Sequence, residues 1–238
     1  MDDFPLRRGM IDSGPAMATT VQIRDRVALS LRRSPVIGVV RTPTLEAAAA
    51  QARALAAGGV ELIEITFSVP GASGLLRELL AARGPEGPPW YGMGTATTAA
   101  RAREAVASGA EFLVTPNVDA DVAREARQGG LFLVMGALTC SEIVAAHELG
   151  ADLVKVYPLP PVGGAAYLAT IRGPLGDIPM LAAGGFGVEE IPAYARAGAI
   201  AFGMAAPLLG AGPDEAESRR RIGRALEVAR GTALPEEE

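Results

Sequence analysis

The sequence predicts an α/β fold, a (β/α)8 TIM barrel with an extra N-terminal helix, and three observations carry that prediction. A short β-branched run followed by an Ala/Leu/Arg-rich helical stretch recurs eight times between residues 20 and 210. Four helical stretches end on a Gly just ahead of the next run: Ala57-Gly58-Gly59, Ser108-Gly109-Ala110, Leu149-Gly150-Ala151 and Arg196-Ala197-Gly198. Gly just past the last helical turn is the favoured left-handed cap, so each marks one stop and one new start. Third, 238 residues suffice for one barrel, with a core that hides roughly 70% of the unfolded chain's surface.

Taken in order, residues 1–20 are acidic, broken by Pro and Gly, and read as a disordered tail in which Met17 is an alternative start. They lack the apolar segment of a signal peptide. A helix over Val21–Arg33 then precedes the first strand, where it can plug the bottom of the barrel. The eight strands are Val36–Arg41, Glu61–Phe67, Trp90–Thr95, Phe112–Pro116, Leu131–Ala137, Asp152–Pro158, Pro179–Gly185 and Ala199–Ala205. Strands that alternate with helices pair in parallel, because each helix returns the chain across the sheet. Eight units in this length suit closure better than an open doubly wound sheet, the alternative that a strand count leaves standing. A last helix covers 214–230, and 231–238 reads as a disordered acidic tail. No linker interrupts residues 21–230, so they form one domain.

Composition narrows the function. The net charge of −5 and pI of about 5.1 leave no basic footprint for nucleic acid. Arg219, Arg220, Arg221, Arg224 and Arg230 read as an exposed helix face. One cysteine and one histidine allow neither a disulfide framework nor a structural zinc. Counting does not exclude a carboxylate-bound Mg²⁺, but no metal or cofactor is assigned. No apolar run approaches the ~18 residues of a membrane span. A cytoplasmic protein with a small-molecule substrate, and no nucleic-acid or membrane partner, is the expectation. His147 is expected on a solvated helix face and Cys140 as an inert thiol after the fifth strand. Trp90 and Tyr91 read as packing residues.

Among 22 basic residues, Lys155 is the one lysine. It lies in mid-strand, in Asp152-Leu-Val-Lys-Val-Tyr-Pro158, where a lone solvated lysine is out of place. Period-2 alternation puts Leu153, Lys155 and Tyr157 on one face and Val154 and Val156 on the other. If the valines meet the helices, the lysine points into the barrel near the strand's C-terminal end, where this fold builds its active sites. A desolvated amine there can attack a carbonyl and form a Schiff base, which an arginine cannot. The other reading is a buried structural ion pair. In the second strand, Ile63, Ile65 and Phe67 share one face, so Glu64, Thr66 and Ser68 share the other. A carboxylate between isoleucines suits a general acid/base; the plainer reading is that it neutralises Lys155 or Arg41. Arg41 and Thr95 end strands one and three on the same rim and suit a 2-oxo acid, one by its fork and one by its hydroxyl. Gly184, Gly185 and Gly203 lie at the ends of strands seven and eight, where barrels of this kind hold phosphate on bare amides.

These residues resemble one family, the 2-keto-3-deoxy-6-phosphogluconate (KDPG)/4-hydroxy-2-oxoglutarate (KHG) aldolases, over roughly residues 21–210. The resemblance runs through Pro35-Val-Ile-Gly-Val-Val-Arg41, Gly59-Val-Glu-Leu-Ile-Glu-Ile-Thr66, Gly92-Met-Gly-Thr95 and Val114-Thr-Pro116. It continues through Gly136-Ala-Leu-Thr-Cys-Ser-Glu142, Leu153-Val-Lys-Val-Tyr-Pro158 and Ala183-Gly-Gly185. It implies a metal-independent, cofactor-free class I aldolase, a lyase of typically trimeric state that releases pyruvate and an aldehyde such as glyceraldehyde 3-phosphate or glyoxylate. Lys155 would be the Schiff-base lysine and Glu64 the acid/base. The substrate-binding set would be Arg41, Thr95, Thr66, Ser68, Pro116, Tyr157, Gly184, Gly185 and Gly203. Three positions depart from the family pattern: Ser68 stands where it usually has Arg, Ala183 where it has Thr, and Ala205 where it has Ser. These losses make a non-phosphorylated 2-keto-3-deoxy acid an alternative substrate. A phosphosugar isomerase or epimerase, and a non-catalytic 2-oxo-acid or sugar-phosphate binder, are the readings from other classes.

Overall fold

The structure is a computed structural model that describes residues 15–85, 87–205, 208 and 215–232. Eight parallel strands close on themselves in the order β1 to β8, with β8 paired back to β1. They are β1 (Val36–Val40), β2 (Leu62–Thr66), β3 (Trp90–Gly94), β4 (Phe112–Val114), β5 (Phe132–Ala137), β6 (Leu153–Val156), β7 (Met180–Ala183) and β8 (Ala201–Met204). Closure removes the open-sheet alternative. It also removes the edges that would expose unpaired backbone groups.

The connecting helices are α2 (Leu45–Ala57), α3 (Ala72–Arg83), α4 (Ala99–Ala107), α5 (Ala120–Gln128), α6 (Cys140–Glu148), α7 (Gly164–Arg172) and α8 (Ile191–Arg196), with α9 (Glu215–Arg230) last. Their starts are written locally. Thr44, Thr98, Asp119 and Thr139 each accept an amide of the first turn on the side-chain oxygen, and Thr139 with Glu142 completes a capping box. The N-terminal helix, α1, covers Pro15–Arg33. It therefore begins earlier than the expected Val21, inside the stretch read as a disordered tail. Residues 1–14 and 233–238, where the rest of the two tails was expected, lie outside the described residues.

Two apolar clusters divide the core. The outer one joins the outward strand residues, among them Ile63, Ile65, Val154 and Val156, to the helices. The inner one fills the lower barrel with Ile37, Leu62, Trp90, Phe112, Phe132, Leu153 and Leu181, and Val27 and Leu31 of α1 close it from below. The expected plug is thus present. Trp90 belongs to this inner cluster and donates from Nε1 to Ser30 Oγ on α1 at 2.7 Å. The five arginines of the last helix are exposed as expected. His147 is half-buried rather than solvated, because it follows the buried Ile143 by one helical turn.

Candidate active site

Pleating decides which side chains enter the barrel. Leu62 and Leu153 lie in the inner cluster while Ile63, Ile65, Val154 and Val156 lie in the outer one, so Glu64 and Lys155 point inward above the apolar fill. The glycines around them leave the room. In register Gly92 faces Glu64, and Gly136 faces Lys155. A Cβ at Gly94 would collide with the Glu64 carboxyl, and one at Gly136 with the backbone of Thr115 and Pro116. The Gly-rich third strand is therefore a seat for the carboxylate.

Glu64 is 2% exposed, and its Oε1 is buried without a hydrogen-bond partner. Lys155 is half-buried, and its Nζ stands 5.3 Å from the centroid of the Tyr157 ring. Among the described residues neither group forms an ion pair, so the plainer reading of Glu64 as a neutraliser of Lys155 or Arg41 has no contact behind it. A buried carboxylate oxygen without a hydrogen-bond partner is costly, so Glu64 Oε1 is a polar atom that the fold alone does not account for.

The rim residues meet as the sequence suggested. Arg41 donates from Nη2 to Thr95 Oγ1 at 3.2 Å. Thr66 is fully buried, donates to the Val40 carbonyl at 3.1 Å and lies 2.8 Å from Ser68 Oγ. Pro116 is half-buried, and Tyr157 is 40% exposed at the mouth. Gly184 and Gly185 both have positive φ, 135° and 89°, in the loop after β7. A side chain at Gly184 would meet Pro160 Cδ at 2.7 Å and Leu159 N at 2.9 Å. Gly203 sits in β8 beside Leu181 and Ala183. Cys140 is exposed and opens α6 on the same face of the barrel. Among the described residues no three His, Cys, Asp or Glu side chains gather to hold a metal.

A family model for "KDPG and KHG aldolase" matches residues 27–224. The chain belongs to this family. It is 32% identical over 164 residues to the 2-dehydro-3-deoxy-phosphogluconate aldolase of Dickeya dadantii, covering 69% of this chain and 76% of that one. It is 30% identical over 198 residues to a probable 2-dehydro-3-deoxy-6-phosphogalactonate aldolase of Rhizobium meliloti, covering 83% and 92%. Among solved structures, the KDPG aldolase of Zymomonas mobilis with 3-phosphoglycerate superposes with a TM-score of 0.75 at 25% identity, over 86% of this chain and 96% of that one. The protein is thus a KDPG/KHG-type aldolase, a lyase of a family for which Schiff-base chemistry is general.

Sequence reasoning missed the charged groups at the opposite end of the barrel. Glu61, Glu111 and Asp152 each sit one residue ahead of β2, β4 and β6 and pair with Arg33, Arg83 and Arg24. The Glu111 carboxylate also accepts the Tyr91 amide at 2.8 Å, and that of Asp152 the Leu133 amide at 2.7 Å. Their signal was legible: Gly59-Val-Glu61, Gly109-Ala-Glu111 and Gly150-Ala-Asp152 repeat one Gly-x-acid pattern. Burial, only partly offset by Arg83 and Arg24, raises the Glu111 and Asp152 carboxyls above the ordinary carboxylate range.

Proposed function

We propose that Lys155 and Glu64 carry the aldolase reaction, on a 2-keto-3-deoxy acid whose carboxylate is gripped by Arg41 and Thr95. The observation that carries this reading is the pair of groups in the upper barrel, one amine and one buried carboxylate, that have no ionic partner among the described residues. The neutral Nζ of Lys155 attacks C2 of the substrate, and loss of water leaves an iminium. Glu64 takes the proton of the C4 hydroxyl as the C3–C4 bond breaks. The aldehyde departs, and the bonding pair passes into an enamine with the iminium as electron sink. Glu64 returns a proton to C3, and hydrolysis releases pyruvate and the amine. The Tyr157 ring beside Nζ stabilises the positive charge of the iminium once it has formed.

Ser68, Pro116 and Tyr157 line the entry, the buried Thr66 hydroxyl positions Ser68 from below, and the amides of Gly184, Gly185 and Gly203 supply the phosphate grip. Ala183 and Ala205 offer no hydroxyl beside those amides, and this favours a plain 2-keto-3-deoxy acid as a second substrate reading. A homotrimer working in the cytoplasm, without nucleic-acid or membrane partners, completes the proposal. The similarity to a cage built by fusing symmetric oligomeric domains, TM-score 0.76, supports an oligomer, and no helix among the described residues is long and apolar enough to cross a membrane. The test is pyruvate release from phosphorylated and plain 2-keto-3-deoxy acids and from 4-hydroxy-2-oxoglutarate, by wild type and Lys155→Met. Turnover by wild type alone supports the assignment, and the preferred member of the panel names the substrate. Equal turnover by both proteins would overturn it.

A further inference from the structure

Thr95 is the one residue other than glycine with a positive φ, 61°, among the described residues. A β-branched side chain is strained in the left-handed region, and such strain persists only where neighbours over-determine it. The residue that does so is Arg101, in the first turn of α4. Its Nη1 donates to the Thr95 carbonyl at 3.1 Å and to Thr97 Oγ1 at 3.1 Å. Its guanidinium also lies over the ring of Phe67, 5.5 Å from the centroid, just past the end of β2. The peptides beside Thr95 are fixed by the sheet, since Phe67 N donates to Gly94 O at 2.8 Å and Ala96 N to Val114 O at 3.2 Å. The Thr95 carbonyl itself is held by Arg101. Released, it would let Thr95 relax toward the extended region and swing its hydroxyl away from Arg41.

We propose that Arg101 is a positioning residue that holds Thr95 in its left-handed conformation, and through it the Arg41–Thr95 grip on the substrate carboxylate. The proposal rests on the aldolase reading above. Arg101 acts through Thr95 and does not touch the reacting atoms. Lysine replaces it only in part, because an ammonium can donate to both acceptors but has no planar face to lie on the Phe67 ring.

The test is borohydride trapping of the Schiff base, read as the half-saturating pyruvate concentration and as the trapping rate with acetone, a carbonyl compound without a carboxylate. Loss of a charge-assisted hydrogen bond predicts a rise of about 10-fold in half-saturating pyruvate for Arg101→Leu and about threefold for Arg101→Lys. Acetone trapping stays unchanged. In a Thr95→Gly background the Arg101→Leu change adds less than about twofold, because the hydroxyl that Arg101 positions is already gone. Should the leucine variant not fold, the lysine variant carries the same comparison. An equal loss with pyruvate and acetone, or full additivity with Thr95→Gly, would mean general loosening of the loop and would overturn the proposal. No adduct on wild type would remove the aldolase reading and the proposal with it, an outcome distinct from the other two.

Discussion

At the N-terminal end of the barrel, Glu111 and Asp152 are each buried against an arginine and a strand amide, whereas at the C-terminal end Glu64 and Lys155 face the interior with no ionic partner among the described residues. Both ends carry costly groups in low-dielectric surroundings. At the bottom each of these carboxylates accepts from a strand amide and from a helix arginine, tying one strand start to the next. At the top the carboxylate oxygen is left unsatisfied. The contrast separates what holds this fold together from what it does, and it predicts opposite consequences of substitution at the two ends.

The largest effect is expected at the top. Lys155→Met removes the nucleophile and should lower kcat by at least about 10⁴-fold, while unfolding free energy stays within about 0.5 kcal/mol because no ion-pair partner is stranded. Glu64→Gln keeps shape and loses proton transfer, so kcat should fall about 10²–10⁴-fold. Its stability should hold or rise, since an unpartnered charge is replaced by a neutral amide. Urea unfolding beside steady-state assays reads both pairs of numbers. A destabilisation of several kcal/mol in either variant would mean that these side chains are structural.

The bottom should behave the other way. Glu111→Ala strands Arg83 and the Tyr91 amide and should cost about 3–5 kcal/mol, with kcat of the folded fraction unchanged. A catalytic defect without a stability defect would break the comparison.

The smallest effect is a slope with pH. Burial raises the Asp152 carboxyl above its ordinary 3.8 despite Arg24. Just above that value the folded chain keeps a proton that the unfolded chain has released, so this group's contribution to stability falls as pH rises. Asn carries no such proton. The stability of wild type relative to Asp152→Asn should therefore shrink between pH 4 and pH 7, and a gap that widens with pH would contradict the burial argument.

What the sequence made legible follows from the range of its signals. Alternation in Leu153-Val-Lys-Val-Tyr157 and Leu62-Ile-Glu-Ile-Thr66 is local, and it was enough to turn Lys155 and Glu64 inward. Gly caps set the strand starts for the same reason. Closure was legible only through the count of eight units in this length. The pairing of β8 with β1 that completes it is a contact between residues far apart in the chain, which no local pattern records. The early start of α1 was hidden by Pro15, which reads as a breaker yet is well tolerated in a first helical turn. Arg101 escaped notice because one arginine among 21 carries no sequence signal; only the backbone of Thr95 gives it a role.

The central claim, that Lys155 is the amine of a Schiff-base aldolase, is tested most directly by intact mass after incubation with pyruvate and borohydride. Wild type should gain one reduced pyruvyl group and Lys155→Met none. A folded wild-type protein that gains nothing, or a Lys155→Met protein that gains the same mass, would contradict the account.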